Sequence, residues 1–324
     1  MAVFIISRLA WGIAVLWAVA TIVFGIFFVL QPADPAVALA GKDPTPSVVK
    51  SLRKEFGTDQ PLVVQYGRFM ENLVLGDKYG WPGFGFSYET RSPVLSTLGE
   101  KLVVSLQIAA GAAILWVVFG VAFGVIGALR PKSVLDRGIM VGSVIGVSAP
   151  TFWVGLFLLY LLWQKLHWLP GTGYVPPSDG VWTWFTHMLM PWITLAVLAI
   201  GTYARLIRSS LSDVLQEEYI KLARAKGLSR RRVVTVHALR PSLVPALTVL
   251  GVGFGTLLAG AVVTESVFNM PGLGLWIVEA AFTGDIPVIM AGTLVAAVVI
   301  LLANLAVDIG YRLVDPRTGG GSGN

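Results

Sequence analysis

Six apolar runs divide this chain, and each is long enough to cross the hydrocarbon core of a bilayer. They fall at residues 9–30, 102–129, 138–164, 188–207, 243–263 and 286–307. A spanning helix takes about 20 mostly apolar residues, because its backbone polar groups find no water in lipid and must pair within the segment. A soluble domain has no way to hide six such runs. Only 13% of the residues are charged and 55% are hydrophobic, where ordinary soluble domains carry about 25% charged residues. The mean hydropathy of +0.75 agrees. The expected architecture is all-α and polytopic, with six transmembrane helices. The fourth run starts beside Pro191 and reaches Arg205, whose long side chain can snorkel to the interface.

The first run is longer than the about 7–15 apolar residues of a signal core. The small-residue sequence Ala38-Leu39-Ala40 also lies well past it, beyond Pro32 and Pro35. A retained helix is therefore expected at residues 1–30. Charge then sets orientation. The net charge of +6 is spread between the apolar runs, so it reports topology rather than nucleic-acid binding. Arg8 precedes the first run, and Arg130, Lys132 and Arg137 follow the second. Between runs four and five stand Arg208, Lys221, Arg224, Lys226, Arg230, Arg231, Arg232 and Arg240, against only Asp213, Glu217 and Glu218. Residues 264–286 carry Glu265, Glu279 and Asp285 and no Lys or Arg. The positive-inside rule places both termini in the cytoplasm and residues 31–101 outside. The absence of cysteine excludes disulfides, thiolate chemistry and Cys-ligated metals.

The external segment 31–101 is patterned. Thr45-Pro46-Ser47 followed by Val48, Val49, Leu52 and Phe56 predicts a short amphipathic helix ended by Gly57, and Leu62, Tyr66, Phe69 and Leu73 predict a second. The Gly- and aromatic-rich stretch 77–92 predicts an irregular but structured loop. Two readings stay open for the segment: a cap resting on the bundle, or a docking surface for an extracytoplasmic partner.

The loop at 208–241 is long and periodic. Leu215, Tyr219 and Leu222 recur at helical spacing, with Ile220 and Ala223 beside them. Glu217 and Glu218 lie near the start of this helix and Arg224 and Lys226 near its end, as the helix dipole favours. Gly227 supplies a left-handed stop. Ser229 can cap a second helix through Val233, Val236 and Leu239, which Pro241 should break. Physics alone predicts a helix–glycine–helix elbow, either lying on anionic lipid through Arg230-Arg231-Arg232 or docked to a soluble protein.

The string Glu218-Tyr219-Ile220-Lys221-Leu222-Ala223-Arg224-Ala225-Lys226-Gly227-Leu228, followed by His237-Ala238-Leu239-Arg240-Pro241, resembles the EAA loop of ABC-importer permeases. Ala223, Ala225 and Gly227 match its E-A-A-x-x-x-G pattern, and the acid is displaced to Glu218. The form Tyr-Ile-x-x-Ala-Arg-Ala-Lys-Gly-Leu is similar to the B-type permeases of dipeptide, oligopeptide and nickel importers. Asp59-Gln60-Pro61-Leu62, Phe268-Asn269-Met270-Pro271-Gly272-Leu273-Gly274 and Gly284-Asp285-Ile286-Pro287 resemble further stretches of that family, which covers about residues 1–316. The stretch 78–89, with Trp81, Phe84, Phe86 and Tyr88, is longer than the family pattern. The tail 317–324 reads as a flexible linker.

The resemblance implies a type I importer permease fold, with a core permease domain at 102–316. It implies that Glu217, Glu218, Tyr219, Leu222, Ala223, Arg224, Ala225, Lys226, Gly227 and Leu228 couple the bundle to an ATPase, with Tyr219, Leu222, Ala223 and Gly227 as the docking core. The chain has no G-x-x-x-x-G-K-[ST] phosphate loop, so ATP and Mg²⁺ would sit on partner subunits and the chain would hold neither a cofactor nor a metal. The implied partners are a second, related permease forming a heterodimer, two ATPase domains, an extracytoplasmic substrate-binding protein or lipoprotein, and membrane lipid, with no nucleic acid. The implied site is the inner, or plasma, membrane.

Candidates for the substrate pathway are Gly255, Glu265 and Asn304. Glu265 at the outer mouth reads either as a solvated acid or as a partner for a peptide amine. Gly251, Gly253, Gly255 and Gly260 read first as close-packing positions. Peptides, nickel or its chelates, and haem remain open as cargo. A stand-alone secondary transporter is the rival class, although no acid lies deep in a span. An intramembrane serine protease would need Ser148 within reach of His187 or His237, which the sequence places at separate levels.

Overall fold

The computed structural model describes residues 2–30, 36–37 and 45–314. Helices carry the fold, and the chain divides into two compact units, Met1–Val104 with Pro271–Leu301 and Ser105–Met270 with Leu302–Asn324. We number the helices α1 (Ala2–Phe24), α2 (Pro46–Phe56), α3 (Leu62–Leu75), α4 (Val94–Leu129), α5 (Val134–Ser148), α6 (Thr151–Leu158) and α7 (Val181–Val214). After these come α8 (Glu218–Ala225), α9 (Arg230–Ser242), α10 (Val244–Phe268), α11 (Leu273–Thr283) and α12 (Ile286–Val314).

All six apolar runs lie in helices, but their continuity differs from expectation. Among the described residues four helices are long and apolar enough to cross a membrane, and up to seven if each bent pair counts as one span. The third run is the clearest departure. The sequence reads it as one continuous span, and it is broken at Pro150 into α5 and α6, which meet at 109°. Proline lacks an N–H and pushes the residue before it out of the helical region. Ala149 and Pro150 are accordingly both extended, with ψ of 128° and 138°. The fourth run extends at both ends into α7, which takes Pro191 inside it and continues past Arg205 to Val214. Pro241 lies in the last turn of α9, which ends one residue later at Ser242, and the chain bends by 44° into α10.

In the first unit α2 and α3 form where the patterns predict them. Gly57, with φ of 67°, closes α2. Helix α3 rests on the end of α1 through Phe24, whose ring lies 5.3 Å from Tyr66 and 5.7 Å from Phe69. The Tyr66 hydroxyl hydrogen-bonds with Thr21 Oγ1 at 2.8 Å. The loop after α3 is irregular but tightly organised. Asp77 accepts from the backbone N–H groups of Tyr79 and Gly85. Buried Asp285 accepts from Ser87 Oγ and from the N–H groups of Tyr88 and Glu89. Asp285, read from sequence only as an outer charge, is the post to which the aromatic loop is tied. Burial first, and then the Asp285 carboxylate, push the Tyr88 phenol well above its ordinary value. A core of Val94, Leu98, Leu273, Trp276, Ala280, Val288 and Ala291 joins α4, α11 and α12 in this unit.

In the second unit glycines let helices approach. A Cβ on Gly201 of α7 would stand 2.7 Å from the Ser143 carbonyl oxygen of α5, and one on Gly146 would stand 3.2 Å from the Val197 carbonyl oxygen. Gly253 and Gly260 of α10 receive the Trp116 ring and Leu195, so their packing reading matches the geometry. Gln107 ties the loop before α7 to the helices. Its side-chain oxygen accepts from Tyr174 and Trp184, and its carbonyl accepts from the Trp192 indole.

Candidate functional site

The loop after α7 folds as an elbow. Glu217, extended at φ −63° and ψ 148°, precedes α8. Gly227 follows it at φ +79°, and its N–H bonds to Arg224 O at 2.9 Å while Leu228 N–H returns to Ala223 O at 3.3 Å. This is the left-handed stop that the sequence predicts. Ser229 Oγ then accepts from Arg232 N–H at 3.4 Å and opens α9.

The apolar residues of α8 separate into two faces. Ile220 is wholly buried and Ala223 is 8% exposed. They pack with Ala128 of α4, Leu211 of α7 and Val233 and Ala238 of α9, with Leu215 and Leu228 against them. Tyr219 and Leu222 point the other way and are 46% and 57% exposed. Glu217, Glu218, Arg224, Ala225, Lys226 and Gly227 are exposed as well, and Leu228 is half-buried. The single stripe predicted from Leu215, Tyr219 and Leu222 is thus two half-stripes. Ala223 corrects the expected docking core, since it faces this chain's own interior. Ile220, set beside the stripe by sequence, is its inner anchor. Their spacing of three residues is the signal that a helical face offers.

The outward face is chemically mixed. Tyr219 and Leu222 are flanked by Lys221, which pairs with Glu218 at 2.7 Å across exposed surface, a contact of about 0–1 kcal/mol. Partial burial first, and then the Glu217 carboxylate, push the Tyr219 phenol upward. The ring therefore stays neutral near pH 7 and presents an O–H donor. An apolar pair ringed by charges, on a helix rooted from behind, is suited to seating in a groove of another protein.

Below the elbow a polar post holds α7 to α5. Arg208 donates Nε to Asp136 Oδ1 at 2.5 Å and Nη2 to Oδ2 at 2.8 Å. Asp136 also accepts from Lys132 N–H at 2.9 Å, and its own N–H donates to Ser133 Oγ. Arg230 of α9 donates to Leu129 O at the end of α4. In the sequence Arg208 stands as one basic charge among eight, because its partner Asp136 lies far off along the chain.

The pathway candidates are not gathered into one site. Glu265, near the end of α10, is 1% exposed and accepts from Ser105 Oγ at 2.6 Å, so it is not a solvated acid at a mouth. Gly255 and Asn304 are half-buried. Among the described residues no group of His, Asp or Glu could hold a metal ion.

Comparison with known proteins follows the same lines. Residues 120–320 match the family described as "Binding-protein-dependent transport system inner membrane component", and residues 1–109 match its N-terminal component. The chain belongs to this family. A Sinorhizobium fredii protein named "Probable peptide ABC transporter permease protein" is 38% identical over 317 residues, covering 98% of this chain and 99% of that protein. The dipeptide transport system permease of Alkalihalophilus pseudofirmus is 33% identical, covering 98% and 99%. The glutathione transport system permease of Shigella flexneri is 36% identical, covering 97% of each. A structure of the MetNI methionine ABC transporter, inward facing, superposes with a TM-score of 0.55 at 19% identity, covering 68% of this permease and 98% of that chain. That likeness concerns the fold.

Proposed function

We propose that this permease is a transmembrane subunit of an ATP-driven peptide importer in the inner membrane, and that α8 is the element an ATPase grips. The observation that carries the coupling role is the two-faced α8, with Ile220 and Ala223 rooted in the bundle while Tyr219 and Leu222 stand free. Full-length similarity to permeases named for peptides, dipeptides and glutathione supports peptides as cargo. In this reading both termini and the elbow are cytoplasmic, and residues 31–101 face outward.

ATP and Mg²⁺ sit on two ATPase domains outside this chain. Their closure presses on Tyr219, Leu222 and the basic residues Arg224 and Lys226. Because Ile220 and Ala223 share a core with α4, α7 and α9, the push reaches several helices together. A second, related permease completes the pathway, and an extracytoplasmic binding protein delivers the peptide. Uptake of labelled di-, tri- and pentapeptides and of nickel, compared between a deletion strain and its complemented parent, tests this reading. Loss of peptide uptake on deletion supports it. Loss of nickel uptake alone replaces the cargo, and uptake that persists without any ATPase points to a stand-alone carrier.

A further inference from the structure

We propose that Arg208 and Asp136 are positioning residues that set the register between α7 and α5, and so pass motion of the coupling elbow into the broken α5–α6 segment. This inference rests on the coupling reading above. Arg208 lies near the end of α7, the helix that leads directly into the elbow. Asp136 lies in the first turn of α5, capped by Ser133. The two helices run antiparallel along one seam, as three contacts show. Arg208 meets Asp136, Gly201 meets Ser143, and Val197 meets Gly146. At each step one helix advances as the other retreats by about the same number of residues.

The second and third contacts are made by glycines against backbone. Such smooth surfaces allow close approach but do little to oppose sliding or rotation. The first contact is different. A planar guanidinium gripping both carboxylate oxygens fixes distance and angle together. The Asp136 side chain is 5% exposed and that of Arg208 31%, and the Lys132 N–H holds the carboxylate from a further side. A buried ion pair contributes little net stability over apolar packing of the same volume, so directional locking is what this one offers. Beyond the seam, α5 ends at Ser148 and α6 departs at 109° around Pro150. A rotation of α7 that is transmitted by the lock swings α5, and the break carries it to α6. Without the lock, α7 can slip along its glycines.

The test uses the assembled complex in proteoliposomes, with its ATPase and second permease subunits, and measures labelled dialanine transported per ATP hydrolysed. The variants are Arg208→Met, Arg208→Lys and the exchanged pair Asp136→Arg with Arg208→Asp. In Arg208→Met the ratio is expected to fall at least tenfold while ATP hydrolysis stays within about twofold of wild type. Arg208→Lys keeps the charge but not the fork, and should fall less. The exchanged pair should recover part of the loss. Because this chain has no cysteine, and with any cysteines of the partner subunits replaced, nitroxides can be confined to Val141→Cys on α5 and Asp213→Cys on α7. Their distance distribution should be single in the wild-type background, and split or shift with ATP and vanadate in Arg208→Met.

An unchanged ratio and distribution in Arg208→Met would overturn the proposal. So would uptake and hydrolysis falling in parallel with the amount of assembled complex, which marks a merely structural pair. If the wild-type complex hydrolyses ATP but moves no dialanine, the peptide reading suffers, and the nitroxide distances alone decide the role of Arg208 and Asp136.

Discussion

Gly227 offers the sharpest quantitative test of the elbow. Its φ of +79° lies in the left-handed region, yet nothing stands within 4 Å of the Cβ that another residue would add there. Substitution therefore costs backbone energy and no steric clash. Alanine in that region costs about 1–2 kcal/mol, asparagine less because its short polar side chain tolerates the conformation, and valine more because it is β-branched. A cost of about 1 kcal/mol shifts a local equilibrium about fivefold. Relaxing φ would break the Leu228 N–H to Ala223 O bond of 3.3 Å and lift Leu228 from the patch around Ile220. Transport per ATP should then fall in the order Asn, Ala, Val, by about fivefold for Ala, with membrane insertion and the amount of permease unchanged. Gly227→Glu adds an acid to the exposed elbow and should uncouple uptake most fully. Uptake and hydrolysis are measured in the same vesicles, and hydrogen exchange follows the α8 amides. Equal losses for Asn and Val, or normal uptake by Gly227→Glu, would refute the elbow's role in coupling.

Other consequences divide by face and by unit. Tyr219→Ala and Leu222→Ala should weaken capture of the ATPase subunits without lowering the thermal stability of the permease, whereas Ile220→Ala, wholly buried, should destabilise it by about 2–5 kcal/mol; a thermal melt beside a pull-down separates the two. Asp285→Ala removes the acceptor for Ser87, Tyr88 and Glu89. Each donor left buried costs about 1–3 kcal/mol, so limited proteolysis within residues 77–92 should speed up while Asp77→Ala, which frees a different pair of amides, opens only the start of that loop. Gly201→Ala sets a methyl 2.7 Å from the Ser143 carbonyl oxygen and should cost about 1–3 kcal/mol by overpacking, read as a lower melting temperature that Gly201→Ser does not restore.

Much of the working part is local in sequence and so legible there. The elbow at Gly227, the cap at Ser229 and the stop at Gly57 are each decided by a few neighbouring residues, because capping and left-handed turns depend on short-range sterics. The six apolar runs are legible for the same reason, since hydropathy summed over about 20 residues needs no knowledge of neighbours in space. Pro150 shows where this ends. Its chemistry announces a disturbance, but whether a helix kinks or turns through 109° depends on what packs on each side of the break.

The remainder belongs to the tertiary structure. Sequence placed Tyr219, Ile220, Leu222 and Ala223 on one helix, and packing against Ala128, Leu211 and Val233 decided which of them face inward. Glu265 reads as an outer acid until α4 brings Ser105 to it. Arg208 reads as a topology charge until α5 sets Asp136 within its fork. The periodicity of a chain determines which helices form and which residues share a face. Pairing between residues distant in sequence depends on how those faces meet, and the polar contacts of Glu265 with Ser105 and of Arg208 with Asp136 are of that second kind.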